Sequence, residues 1–133
     1  MKAKLFSDGG SRGNPGPGAA AWFIFDQQDK LIDFGGKYLG NVTNNFAEYS
    51  ALHEGLKAAK KLKVEELECF LDSELIVKQI NGIYNVSNAN MKELYKKVKK
   101  ALENFERVTV QHIVRVQNKN ADKLVNIVLD LKT

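Results

Sequence analysis

Cysteine, histidine and proline are scarce in this 133-residue chain, which holds one Cys, two His and two Pro. The single cysteine, Cys69, excludes an internal disulfide; within an apolar run it reads as a small buried hydrophobe. Two widely separated histidines, His53 and His112, exclude a His-based zinc site. No apolar run approaches the roughly 20 residues that a membrane-crossing helix needs. The opening Met1-Lys2-Ala3-Lys4-Leu5-Phe6 turns polar at Ser7-Asp8, without the apolar stretch of a signal peptide. Repeats, low-complexity tracts and interdomain linkers are also missing. The expectation is a single domain, residues 1–133, monomeric and cytoplasmic, with no membrane association and no obligate protein partner.

What the chain does contain is ordinary for a soluble globular protein: 44% hydrophobic and 27% charged residues, enough for a real core. The net charge of +4 favours a polyanionic partner without identifying one. Lysines crowd two helical segments, at Lys57, Lys60, Lys61 and Lys63 and again at Lys92, Lys96, Lys97, Lys99 and Lys100. A solvated helix face accounts for these as readily as a binding surface does.

Periodicity predicts strands at about Ala3–Ser7, Ala20–Phe25 and Leu31–Leu39, an antiparallel meander with Gly35-Gly36 marking a bulge. A helix from Asn45 to Leu62 follows, then a strand from Val64 to Leu71 and a short helix from Ser73 to Asn81. A Lys-rich helix from Met91 to Phe105, a strand from Arg107 to Val116 and a helix from Asp122 to Leu131 complete the order β-β-β-α-β-α-α-β-α. Strand-helix-strand connections favour parallel pairing. The fold class is therefore α/β, a mixed five-stranded sheet with helices on both faces.

Four acids stand in short polar settings at element ends, where open α/β sheets build their sites. They are Asp8 in Ser7-Asp8-Gly9-Gly10, Glu48 in Thr43-Asn44-Asn45-Phe46-Ala47-Glu48, Asp72 in Leu71-Asp72-Ser73, and Asp122 in Asn118-Lys119-Asn120-Ala121-Asp122. Each has a bland reading. Glu48 completes a capping box with Asn45 as N-cap; Asp122 suits the first turn of a helix; Asp72 is a plain cap and Asp8 a turn former. Together they form a set that suits divalent metal ions and phosphodiester chemistry. The Gly-rich stretch after Asp8 is no P-loop, since it lacks the Gly-Lys-Ser/Thr ending and leads into a strand. It reads as a turn that lets the backbone approach something bulky, with Asn14 offering an amide to a sugar or base edge.

These motifs resemble type 1 ribonuclease H: Asp8-Gly9-Gly10 with Gly13-Asn14-Pro15-Gly16-Pro17-Gly18, Thr43-Asn44-Asn45-x-x-Glu48, Asp72-Ser73, and Asn118-x-x-Ala121-Asp122-x-Leu124-x-Asn126. They occur in the family's order from residue 3 to about 130. The resemblance implies the ribonuclease H-like fold and an endonuclease that cuts the RNA strand of RNA/DNA hybrids, leaving 5′-phosphate and 3′-hydroxyl ends. It implies two Mg²⁺ ions, with Mn²⁺ as substitute, held by Asp8, Glu48, Asp72 and Asp122, with Asp8 bridging. It also implies substrate contacts at Gly9, Asn14, Thr43, Asn44, Asn45 and Ser73, with the amides in the minor groove and Thr43 on a DNA-strand phosphate.

The chain departs from the pattern in three places. Gly82 to Asn90 has no Lys, Arg or Trp where many members carry a basic protrusion. Val114 to Asn120 has no His where well-studied members place one. Glu74 follows Asp72-Ser73 where Gln is common. The chain is also too short to hold an N-terminal hybrid-binding domain. Alternatives are a non-catalytic hybrid-binding module of the same fold, a DNA-cutting core of the same superfamily, and a domain of a reverse transcriptase.

Overall fold

The computed structural model describes residues 1–133. Five strands, β1 (Lys2–Ser11), β2 (Gly16–Asp26), β3 (Leu31–Val42), β4 (Glu66–Leu71) and β5 (Arg107–His112), form one sheet in the order β3-β2-β1-β4-β5. Four helices, α1 (Asn44–Lys61), α2 (Glu74–Ile80), α3 (Ala89–Leu102) and α4 (Lys119–Lys132), pack on it, and a 3₁₀ turn, Arg115–Asn118, precedes α4. The meander is antiparallel, while β4 and β5 add parallel to β1. The mixed five-stranded sheet and the element order agree with the expectation from periodicity.

Alternation along the strands separates two faces. Ala3 and Leu5 of β1, Ile24 of β2 and Leu67, Cys69 and Leu71 of β4 point to one side, where Leu52 and Leu56 of α1, Ile76 and Ile80 of α2 and Leu94 and Val98 of α3 bury them. On the other side α4 makes a smaller core, Ala121, Val125 and Leu129 against Ala19 and Ala21. Beyond α4 that face is aromatic: Phe6 stacks on Phe70 at 4.9 Å, meets Phe25 edge-on at 5.7 Å, and Phe23 stacks on Phe34 at 5.5 Å. No helix is long and apolar enough to cross a membrane.

Several features differ from the sequence reading, and those nearest the cleft have a physical reason. β1 runs through Asp8, Gly9 and Gly10 to Ser11, so those residues are strand, not turn. A Cβ on Gly9 would overlap the Ala47 carbonyl, so this glycine admits the backbone of α1 against the sheet. The bulges of β3 fall at Leu39 and Ile32, where the register with β2 slips, whereas Gly35 and Gly36 pair regularly. A Cβ on Gly35 would overlap the Trp22 ring, which lies across it. The N-cap of α1 is Thr43, whose hydroxyl accepts from the Phe46 N–H at 3.2 Å, not Asn45. Finally, β5 ends at His112 and α4 starts at Lys119, earlier than Asp122. The buried Asn118 side chain draws the chain back, donating to the Ser7 carbonyl at 2.8 Å.

Candidate active site

The parallel pairing of β1 with β4 stops at Phe6 opposite Phe70. Beyond it β1 continues with β2 alone and β4 ends at Leu71, so the sheet splits between two parallel strands at their C-terminal ends. Such a split is where open sheets accept ligands. Asp8 stands two residues past it on β1 and Asp72 two residues past it on the exit from β4. Glu48 arrives from α1, which the missing Gly9 side chain allows close. With Thr43 as the cap, Glu48 lies a full turn inside the helix, and the capping-box reading falls away.

Asp8, Glu48 and Asp72 each offer a carboxylate oxygen within 4.8 Å of the others. Burial pushes Asp8 up to about 8, with the nearby Asp72, Glu48 and Asp122 charges adding to the rise. Burial likewise pushes Glu48 up to about 7, opposed by a hydrogen bond from Ser73 and assisted by Asp72. Asp72 is also raised, mainly by burial, although Asn118 and Arg115 oppose the rise. A metal-free protein near neutral pH therefore keeps protons in this cluster, as expected of sites that release protons on binding a cation. The donors are all oxygen and line a polar cleft of about 300 Å³. That donor set fits a hard divalent cation.

Neighbouring groups hold these acids in place. The Ser73 hydroxyl accepts from the Ile76 N–H at 3.3 Å as the N-cap of α2, which leaves its own proton for Glu48. Asn118 reaches Asp72 at 3.5 Å with the same Nδ2 that binds the Ser7 carbonyl. Asp122 opens into the same cleft but stands apart from the other three: its Oδ1 accepts from Arg115 Nη2 at 3.2 Å. The sequence reading quoted Asn118 only as a motif member and gave Arg115 no role. Both act through partners distant in sequence or through a side-chain pairing, which no local pattern reports.

The amides are oriented by backbone donors. The Asn44 N–H donates to Asn14 Oδ1 at 3.0 Å, and the Ser11 N–H donates to Asn44 Oδ1 at 2.9 Å. Both oxygens are thus engaged internally, and the NH₂ groups of these two exposed residues have no partner within the chain and stay available as donors. Asn45 is exposed beside them. Arg12 anchors the intervening loop, pairing with Asp130 of α4 at 2.6 Å. Thr43 lies in a neighbouring hollow of about 450 Å³, lined also by Pro15, Phe46 and Asn88, where the N-cap of α1 meets that of α3. The segment between α2 and α3, residues 81–88, is a short connection with no basic side chain.

Comparison with known proteins places this geometry. The profile of the family described as reverse transcriptase-like matches residues 6–128. Ribonuclease HI of Halobacterium salinarum is 34% identical over 97% of this chain, which spans 65% of that relative's length. The crystal structure of ribonuclease H1 from the same archaeon superposes with a TM-score of 0.95 at 33% identity, covering 98% of both chains. The chain belongs to the type 1 ribonuclease H family. A second ribonuclease H structure, LC11-RNase H1 in complex with an RNA/DNA hybrid, superposes with a TM-score of 0.93 at 35% identity, over 98% of both chains. The strand order β3-β2-β1-β4-β5 and the compact form, without an inserted protrusion between α2 and α3, agree with these ribonuclease H structures.

Proposed function

We propose that this ribonuclease H domain, residues 1–133, hydrolyses the RNA strand of RNA/DNA hybrids and leaves 5′-phosphate and 3′-hydroxyl ends. The observation that carries the reading is the convergence of Asp8, Glu48 and Asp72 within 4.8 Å, with Asp122 on the same cleft. A pure binding module gains nothing from crowding acids that burial, with their mutual repulsion added, holds partly protonated.

Asp8, Glu48, Asp72 and Asp122 would hold two Mg²⁺ ions, or Mn²⁺ in their place. When bound, such ions polarise the scissile phosphate and neutralise charge on the attacking and leaving oxygens. The protein's own groups do the positioning. Ser73 aims Glu48, Asn118 aims Asp72, and the α1 backbone seated on Gly9 fixes the distance between the two sides of the cleft. Asn14 and Asn44 present N–H donors, the complement of the acceptors that minor-groove base edges and 2′-hydroxyl oxygens offer. Thr43 uses an oxygen lone pair on Phe46, so its hydroxyl proton stays available for a DNA-strand phosphate. Binding through phosphates should weaken with salt regardless of sequence. The hybrid bound to LC11-RNase H1 supports the same substrate class. A monomeric state and a cytoplasmic location belong to this proposal.

The test is an RNA/DNA hybrid labelled on the RNA strand, incubated with Mg²⁺, Mn²⁺ or EDTA beside matched duplex DNA and duplex RNA. Hybrid-confined cleavage that EDTA abolishes is the expected result. Tight hybrid binding with no cleavage under either metal would leave the non-catalytic module as the function.

A further inference from the structure

Three of the four cleft carboxylates already share one nest, but Asp122 does not. It is engaged by Arg115, a residue of the 3₁₀ turn between β5 and α4. The backbone of that turn is pinned on both sides. Ile113 N–H donates to the Leu71 carbonyl at 2.9 Å before it, and Asn118 binds the Ser7 carbonyl at 2.8 Å after it. The Arg115 side chain is nevertheless 79% exposed and so free to swing. Arg115 lines the same cleft as Asp8, Glu48 and Asp72, so it borders the whole acidic site, not Asp122 alone. A flexible cation on a rigid base therefore occupies the side of the cleft that the three-carboxylate nest leaves uncovered.

We propose that Arg115 stands in for the second cation in the free protein, and yields Asp122 when substrate phosphate takes over its guanidinium. This rests on the two-ion reading above. An ion pair with so exposed a partner is screened by water and contributes little, so the Arg115–Asp122 contact is weak enough to be exchanged. A phosphate offers the same guanidinium two oxygens in a planar fork, a better match than one carboxylate oxygen at 3.2 Å. The exchange ties occupancy of the fourth ligand to arrival of the substrate. Free protein then holds one ion tightly and a second only weakly, and the second half of the site assembles on the nucleic acid.

Calorimetric titration with Mn²⁺ in the absence of nucleic acid tests this. In Arg115→Gln the second ion should bind the free protein at least about tenfold more tightly than in the wild type, and Arg115→Lys should stay close to wild type. Adding Asp122→Asn to Arg115→Gln should remove the gain. At fixed Mn²⁺ the KM of Arg115→Gln for a hybrid should rise about tenfold, with a smaller change in kcat. A second-ion affinity that is unchanged or weaker in Arg115→Gln, or an unchanged KM, overturns the proposal while leaving the metal site standing. Loss of all Mn²⁺ binding in the wild type, or first-ion binding indifferent to Asp8→Asn, would instead overturn the two-ion reading beneath it.

Discussion

Replacing Asp8 with Asn should stabilise the metal-free protein, and the gain should grow with pH. In the folded chain Asp8 keeps its proton up to about pH 8, whereas the unfolded chain releases it near 3.8. Between those values the folded state binds the extra proton, so the Asp8 contribution is fully favourable below the unfolded value. It is lost as pH rises through the folded one. Each unit is worth about 1.4 kcal/mol, so the rise from 3.8 to about 8 sets a ceiling of roughly 6 kcal/mol above pH 8. Glu48, raised to about 7 mainly by burial with the Asp72 charge adding to it, tilts the wild type in the same direction. Urea unfolding in EDTA, followed by far-ultraviolet circular dichroism from pH 5 to 9, should show Asp8→Asn ahead by about 3 kcal/mol or more at pH 9. Near pH 5 the difference should shrink to about 1 kcal/mol. Millimolar Mg²⁺ should reverse the order, because only the wild type keeps its full ligand set. Stability lines for the two proteins that run parallel across the whole range would refute the claim that the carboxylates repel in a desolvated cleft.

Other outcomes follow from the same geometry. Asp72→Asn should abolish hybrid cleavage while the circular dichroism spectrum and a cooperative thermal transition persist, because it removes a ligand charge and almost no volume. Replacing Asn44 and Asn45 together with Ala should erode the preference for hybrid over duplex DNA, read as the ratio of binding constants. Gly9→Ala should lower stability by about 3 kcal/mol or more, measured by thermal unfolding, since its methyl group meets the Ala47 carbonyl and α1 must lift from the sheet.

The four acids could be found by reading along the chain because each lies in a short motif, and the sheet could be predicted because its strands and helices have clean periods. What escaped was anything decided by contact between distant segments. Glycine carries two meanings, turn and close approach, and only the docking of α1 on β1 shows that Gly9 has the second. Thr43 and Asn45 are both sound N-caps; the packing of Ala47 over Gly9 selects the earlier one. The bulges at Leu39 and Ile32 follow from strand register, to which the glycine pair is irrelevant. Asn118 grips Ser7 across 111 positions of chain, so its role had no local signature. The amides of Asn14 and Asn44 were visible as residues, but that their oxygens turn inward depends on a loop closing onto a helix.

The order in which the elements are synthesised bears on when the cleft can act. Of the elements described, β1, which carries Asp8, leaves the ribosome earliest, while α4, which carries Asp122 and the Asp130 that anchors Arg12, leaves it latest. Arg12 and Asp130 are 118 positions apart, so the loop bearing Asn14 gains its tether only after nearly all of these elements have emerged. A growing chain can fold the three strands of the meander against α1 and still own neither its fourth carboxylate nor a fixed minor-groove loop. The proposed nuclease activity would therefore be withheld from a nascent chain until α4 docks.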